Sequence, residues 1–329
     1  MNYDARPFGS RISAGSQRHP SFAIQGQEPY MLHLRSFTRT LHRQQINGVT
    51  FHFDPSHRHE LDRLIRRFFA KPEQYPTLDI PEDTRGVFLL EGERQWVLKR
   101  NRLTHWKKQL QNFLGLKRSF GLHDLTNEFI NLSVVSGKSA LSPQVSAFGY
   151  KGRFPFLREE YLLVGFWADH CSVDDRLLAH PEQAETLLPA IFRLFGQMLD
   201  DDFVHMDPHP KNILVAADGR LRLIDFECCA HSVLDRDFSL GFLLGYFYRF
   251  WFRRFISQQD YDRLCEAYLN EAHPNLDRAI FQPVYQRFRD QNVSRSTRYR
   301  ILTCARAQAA FQREISGPQG QSATPFNRS

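Results

Sequence analysis

Two β-prone runs, Ile213 to Val215 and Leu221 to Ile224, flank the turn signal Ala217-Asp218-Gly219, and this hairpin constrains the chain more than any other feature. His205, Asp207 and then Asn212 precede it, and Asp225 follows thirteen residues beyond Asn212. An antiparallel hairpin returns the chain to its starting point, so Asn212 and Asp225 are expected side by side at one end. The stretch Val204 to Glu227, VHMDPHPKNILVAADGRLRLIDFE, thus gathers two carboxylates, an amide and an imidazole in one place.

Carboxylate and amide oxygens are hard ligands that suit Mg²⁺. Transfer of a γ-phosphoryl group asks the protein mainly for positioning and cancellation of charge, which a cation so held supplies. Asn212 and Asp225 are the candidate metal ligands, and Asp207 is a carboxylate able to accept or orient the proton of an acceptor hydroxyl. The segments HMDPHPKN and DFE resemble the H-x-D-x-x-x-x-N and D-F-G motifs of the protein-kinase-like superfamily. The resemblance implies an α+β fold of two lobes, a small antiparallel β-sheet N-lobe and a mostly helical C-lobe, with ATP and Mg²⁺ as cofactors. It also implies that His205 braces the catalytic loop, and it leaves open whether Glu227, which replaces the glycine of D-F-G, touches metal.

Upstream, Arg85 to Leu90 and Gln95 to Lys99 are β-prone runs joined by Glu91-Gly92-Glu93-Arg94, a second hairpin. The run WVLK resembles the V-A-I-K pattern, which implies that Lys99 contacts ATP phosphates and that Glu128, in the helix expected over Asp124 to Val135, positions it. The glycine-rich phosphate loop is degenerate. Only Pro81-Glu82-Asp83-Thr84-Arg85-Gly86 stands in its place, with Gly86 the candidate nucleotide-contacting glycine. His57 to Ala70 sets Leu61, Leu64, Ile65, Phe68 and Phe69 opposite Arg63, Arg66 and Arg67, an amphipathic helix, and Tyr161 to Trp167 reads as the strand leading to the adenine hinge. Pro181 to Leu199 is a further amphipathic helix, and Asp200-Asp201-Asp202 after it reads as an acidic helix exit.

With 42% hydrophobic residues among 329, the chain has ample material for a core, and a net charge of +7 points to an anionic partner. Five cysteines without C-x-x-C spacing suit neither a disulfide framework nor a zinc site, so reduced thiols in a cytosolic compartment are expected. The N-terminus carries no apolar h-region before a cleavage site, and the most apolar window, Phe238 to Tyr248, falls short of the roughly 20 residues of a spanning helix.

Between Asp225 and Asp237 lie eleven residues without an A-P-E motif, which argues against a protein kinase controlled through an activation segment. His209, two residues after Asp207, makes a D-x-H-x-x-N form similar to aminoglycoside, choline and ubiquinone-associated atypical kinases. Asp237 is expected to brace the catalytic loop, with an ordinary N-terminal helix acid as the plainer alternative. Phe238 to Phe255 reads as C-lobe core whose arginines meet phosphates or head groups at the surface. Tyr261 to Leu269, Leu276 to Arg289 and Ser296 to Arg313 read as three more helices.

Arg94 to Arg118 holds eight Lys or Arg and no acid, interleaved with Trp96, Trp106, Leu110, Phe113 and Leu114. Such a run suits a solvated helix face or an anionic membrane. A basic, amphipathic insertion at this point is similar to the bacterial kinases of lipopolysaccharide core sugars, the Kdo and heptose kinase family. That resemblance implies an ATP-dependent phosphotransferase acting on a sugar hydroxyl of a core glycolipid, cytoplasmic and peripheral on the inner membrane. A soluble metabolite kinase and a nucleotide-binding pseudokinase are the alternatives, and the basic pI alone is weak ground for nucleic acid. The expected organisation is a disordered segment over 1–30, an N-terminal extension and N-lobe over 31–165, a C-lobe over 166–313 and a disordered tail over 314–329.

Overall fold

The computed structural model describes residues 34, 36–78, 85–103, 125–153 and 156–317. Residues 1–30 and 318–329 of the expected disordered ends, the turn at 81–84 and most of the basic insertion, including Trp106, Leu110, Phe113 and Leu114, lie outside the described residues. Residues 314–316, expected in the disordered tail, instead end the helix Ala305–Ser316, because Ile315 is buried in the core.

The N-terminal lobe is built on β1 (His42–Ile46), β2 (Val49–Phe53), β3 (Arg85–Glu91), β4 (Gln95–Arg102), β5 (Val145–Arg153) and β6 (Phe156–Gly165), with α1 (Arg58–Ala70) and α2 (Leu125–Val135). The strands form one antiparallel sheet in the order β1-β2-β5-β6-β4-β3. Strand side chains alternate between faces, and each face has its own helix. Leu61, Leu64, Ile65 and Phe68 of α1 pack on Phe51, Phe53, Leu90, Trp96, Leu98, Tyr161 and Leu163. On the opposite face, Phe129 of α2 stacks on Phe148 with ring centres 4.6 Å apart. Because Trp96 and Leu98 face α1, Lys99 and Asn101 of the same strand face α2. There Asn101 Nδ2 donates to Glu160 at 3.4 Å, and Thr126 of α2 donates to the same carboxylate.

The C-terminal lobe follows as β7 (His170–Ser172), α3 (Val173–Ala179), α4 (Ala184–Asp200), β8 (Val204–His205), β9 (Ile213–Ala216), β10 (Leu221–Leu223), β11 (Cys229–Ala230), α5 (Arg236–Phe247), α6 (Gln258–Ala272), α7 (Arg278–Asp290), α8 (Arg295–Thr303) and α9 (Ala305–Ser316). The molecule is therefore a two-lobed α+β protein with a β-sheet N-lobe and a largely helical C-lobe, as in protein-kinase-like folds. The hairpin expected over 213–224 forms between β9 and β10, with Leu221 opposite Val215 and Leu223 opposite Ile213. The acidic exit of α4 is neutralised by ion pairs from Arg236 to Asp200 at 2.7 Å and from Lys138 to Asp202 at 2.9 Å.

Three expectations need correction. The helix read over Ser296 to Arg313 is two helices, broken at Cys304, which takes an extended conformation (φ −134°, ψ 110°). The break lets α8 lie against β11 while α9 packs on α7. Asp237 does not hold the catalytic loop. Its carboxylate accepts the Asp277 amide at 3.0 Å, just before α7. The apolar run after it ends α5 in a π-helical turn, Tyr248–Phe252, and two of its arginines have partners within the chain: Arg249 donates to the Asp290 carbonyl at 2.6 Å and Arg254 pairs with Asp174.

Helices α5 and α7 pack closely, and two glycines one turn apart on α5 make it possible. A Cβ on Gly241 would stand 2.9 Å from the Phe281 carbonyl, and one on Gly245 only 2.4 Å from the Tyr285 carbonyl. Backbone cannot yield as a side-chain tip can, so Gly245→Ala is expected to destabilise the protein by about 1–3 kcal/mol, the range for an overpacked core. Chemical denaturation of the two proteins measures it.

A second expectation concerns acid. His52 is buried against Tyr150, and burial, with Arg43 nearby, lowers its pKa from 6.5 to about 4. Its folded form therefore resists a proton that the unfolded chain accepts below 6.5. Stability from this group is complete above pH 6.5 and declines as pH falls towards 4. His52→Phe should flatten that part of the stability profile, read as thermal midpoint against pH.

Candidate functional site

The catalytic-loop segment and the segment after the hairpin are tied together first by backbone. Strand β8 pairs with β11, His205 opposite Cys229, and the Ile224 amide donates to the Asn212 carbonyl at 3.0 Å. His205 completes the tie with its side chain. Its Nε2 donates to the Ile224 carbonyl at 3.1 Å and its Nδ1 accepts the Asp207 amide at 3.2 Å. That pair of bonds requires the neutral ring, and burial, against the pull of Asp207 and Asp225, lowers its pKa accordingly. The Phe226 ring meets the imidazole edge to face at 5.0 Å.

A short 3-10 turn, Pro210–Asn212, carries the loop round. The His209 amide donates to the Asp207 carbonyl at 2.9 Å, and Asn212 Nδ2 donates to the same oxygen at 3.1 Å. The Asn212 amide nitrogen is thereby committed, which leaves its oxygen as the end free to act as a ligand. His209 Nδ1 accepts the Lys211 amide at 3.3 Å, and burial lowers its pKa as well. Asp207 itself is half-buried, and its Oδ1 accepts a hydrogen bond of 2.6 Å from the hydroxyl of Tyr246 on α5.

From the N-lobe, Lys99 of β4 reaches Glu128 of α2 at 2.6 Å, an ion pair in which the glutamate side chain is only 2% exposed. The geometry follows from the two periodicities: Lys99 faces α2 from the strand, and Glu128 lies on the same buried side of α2 as Phe129 and Leu132. Glu128 is also one of three carboxylates, with Asp225 and Glu227, that each bring one oxygen to within 4.8 Å of the others. Burial would raise the Asp225 carboxyl, but Lys99, His205 and Arg85 together hold it below its ordinary value. The Glu128 carboxyl is pushed up by burial and by Asp225 and Glu227, against the pull of Lys99. Burial would strip the proton from Lys99, yet Glu128 and Asp225 keep it charged.

The donor set fits a divalent cation. Asp225 Oδ1 and Glu128 Oε2 are both buried with no hydrogen-bond partner, a costly state for a carboxylate oxygen that a cation would relieve. Asp225 also holds a left-handed backbone at φ 63°, unusual for an L-residue and typical of functional sites. Glu227 is gripped by Arg85, with Arg295 of α8 at 3.9 Å. Its backbone and that of Phe226 are held by Asn131 Nδ2, at 3.3 and 2.6 Å, and Asn131 Oδ1 in turn meets His231 Nε2 at 2.7 Å.

The structure thus brings together Lys99, Glu128, His205, Asp207, Asn212 and Asp225. Gly86 lies in β3 opposite Arg100, where a Cβ would stand 2.6 Å from the Phe88 ring, so its missing side chain is explained by packing. Glu227 enters as a third carboxylate, and Tyr246, Arg85 and Arg295 enter as partners that the motif does not contain. Glu227 was visible as the departure from D-F-G. Tyr246 stands 39 residues beyond Asp207 in an apolar helix and carried no local signal.

Residues 157–242, from β6 to the middle of α5, match the family model described as ABC1 atypical kinase-like domain. A stretch of 77 residues is 39% identical to an uncharacterized protein of Synechocystis sp., covering 21% of this chain and 19% of that protein. The match therefore spans about a fifth of that curated relative's length. Among solved structures, the chain is similar at 15% identity and a TM-score of 0.36 to WaaP in complex with acyl carrier protein, over 80% of this chain and 96% of that one.

Lys99→Met should leave Glu128 as an uncompensated buried acid and cost about 3–5 kcal/mol, whereas Lys99→Met combined with Glu128→Gln should cost less than that single change. Denaturant melts of the single and double variants check the order.

Proposed function

We propose that this protein is an ATP-dependent phosphotransferase that phosphorylates a sugar hydroxyl of a lipopolysaccharide-core intermediate at the cytoplasmic face of the membrane. The observation that carries the phosphotransfer reading is the convergence of Lys99–Glu128 from the N-lobe with Asp225 and Glu227 from the C-lobe, beside Asp207. In this reading Lys99 holds the ATP phosphates, Glu128 fixes Lys99, and Gly86 lies beneath the nucleotide. Asp225 and Asn212 hold Mg²⁺, with Glu227 as an additional carboxylate at the same place. A cation held there would neutralise charge on the phosphates.

The acceptor hydroxyl oxygen forms the new bond to the γ-phosphorus while the bond to the bridging oxygen of ADP breaks. The hydroxyl proton passes to the Asp207 carboxylate and from there to solvent. His205 does no chemistry. It keeps the Asp207 and Asp225 segments in register through its two hydrogen bonds.

The sugar acceptor rests on different ground, the basic and aromatic composition of 94–118 together with the D-x-H-x-x-N loop. No helix among the described residues is long and apolar enough to cross a membrane, which is compatible with peripheral attachment. The match of residues 157–242 to an atypical kinase-like family supports the phosphotransfer reading, and a soluble metabolite kinase is the second reading.

Purified protein is expected to transfer phosphate from ATP to core glycolipid in the presence of Mg²⁺, and Asp207→Ala and Asp225→Ala should each lower the rate at least about 100-fold. Equal rates in all three proteins would falsify the mechanism. Sedimentation with anionic liposomes separates the two acceptor readings, since a soluble metabolite kinase stays in the supernatant.

A further inference from the structure

Tyr246 and Arg298 form an arrangement next to Asp207 that the packing of the C-lobe does not require. Tyr246 lies at the penultimate position of α5, buried, with its ring stacked on Phe242 at 5.5 Å and tilted against Phe250 at 4.5 Å. Its hydroxyl donates to Asp207 Oδ1 at 2.6 Å. Behind it stands Arg298 of α8, whose guanidinium carbon is 4.2 Å from the centre of the Tyr246 ring. Arg298 is 7% exposed, and both its Nε and its Nη1 are buried with no hydrogen-bond partner.

Stacking on the rings of Tyr246 and Phe250, whose centres are 4.2 and 6.0 Å from the guanidinium carbon, stabilises the arginine but leaves two of its donors unsatisfied. A buried guanidinium with two unsatisfied donors costs folding free energy, and an apolar side chain of similar length would fill the same space without that cost. Local rules broken in this way are expected where function has set the residue. What Arg298 does touch is the tyrosine that touches Asp207. Burial raises the Tyr246 pKa, so the phenol keeps its proton and acts as a donor. A cation beside the phenol polarises its O–H and strengthens the hydrogen bond it gives to a carboxylate.

We propose that Tyr246, backed by Arg298, is a positioning residue that fixes the rotamer of Asp207 and reserves Oδ2 for the acceptor hydroxyl. The proposal rests on the phosphotransfer reading above. With Oδ1 accepting from the phenol, Oδ2 is the more basic oxygen and the one turned to the acceptor proton, and its direction is set by the phenol. The placement is rigid because Tyr246 follows Gly245, whose backbone lies against α7. The pair therefore couples the close contact of α5 with α7 to the reacting end of Asp207.

The test uses the full chain with water as the acceptor, so that it does not depend on knowing the sugar. Mg²⁺-dependent ATP hydrolysis is measured in wild type, Tyr246→Phe, Arg298→Met, Asp207→Asn and the Tyr246→Phe/Asp207→Asn double variant. Tyr246→Phe is expected to lower kcat by about 10- to 100-fold with KM for ATP within about twofold, because misplacement of a reacting group acts on the chemical step. Arg298→Met is expected to lower kcat while its thermal midpoint stays level or rises, an outcome that a purely structural arginine would not give. The double variant should be no slower than Asp207→Asn alone, since both changes remove one function. Wild-type turnover that persists unchanged in Tyr246→Phe, or losses that multiply in the double variant, overturns the positioning role only. A wild type that binds ATP and Mg²⁺ without hydrolysing ATP overturns the phosphotransfer reading and the positioning role with it. If Tyr246→Phe does not fold, Arg298→Met decides alone: an unchanged kcat overturns the proposal.

Discussion

The buried ion pair between Lys99 and Glu128 is the interaction on which the rest of the site depends. It is the point where the N-lobe sheet, the helix α2 and the end of the C-lobe hairpin meet, and it is paired at 2.6 Å. A lysine and a glutamate taken from water this far must compensate each other, so the strand and helix that carry them are held in one relative position. The same glutamate belongs to the three-carboxylate cluster, and that shared membership links the sheet to Asp225 and Glu227. Negative charge is concentrated there beyond what Lys99 alone relieves, with Arg85 gripping Glu227.

Much of this was legible because the determining interactions are short in sequence. The hairpin of β9 and β10 is dictated by two apolar runs and an Ala-Asp-Gly turn, and it alone brings Asn212 to Asp225. Lys99 and Glu128 were readable through the resemblance of WVLK to the V-A-I-K pattern and from their order along the chain. What stayed hidden are contacts between residues far apart on regular elements: Tyr246 on Asp207, Arg85 on Glu227, and Arg295 on the Cys228 thiol at 2.8 Å. An apolar helix announces that it will be buried but not which of its residues will end against a particular carboxylate. The same limit explains Asp237, whose position in the first turn of α5 was clear while its partner, the Asp277 amide, depends on how α7 is laid across the lobe. The break at Cys304 had no proline or glycine to mark it, because it is imposed by two different packing surfaces.

The segment after Asp225 is compact. Glu227, Cys228 and Cys229 are buried, and β11 pairs at once with β8. Asn131, His231 and Lys138 fasten this passage to α2 and the loop after it, Lys138 through the His231 carbonyl at 2.8 Å. Few residues remain between β11 and the Asp235 side chain that caps α5. Ordering by phosphorylation of a long loop has nothing to act on here, so the geometry of the acidic cluster is built into the fold.

The contact of α5 with α7 has a mechanical consequence. Where side chains meet, a helix can shift by a few tenths of an ångström as rotamers adjust, and such play is how most cores absorb thermal motion and mutation. At Gly241 and Gly245 that cushion is missing, because main chain rests on main chain. The neighbourhood of Tyr246 therefore behaves less like a packed core than like a bearing seat, with tolerances set by peptide geometry. Changes on the face of α7 that meets α5, at Tyr285 and Phe288, would be transmitted along this seat to Tyr246 and Asp207 instead of being dissipated on the way.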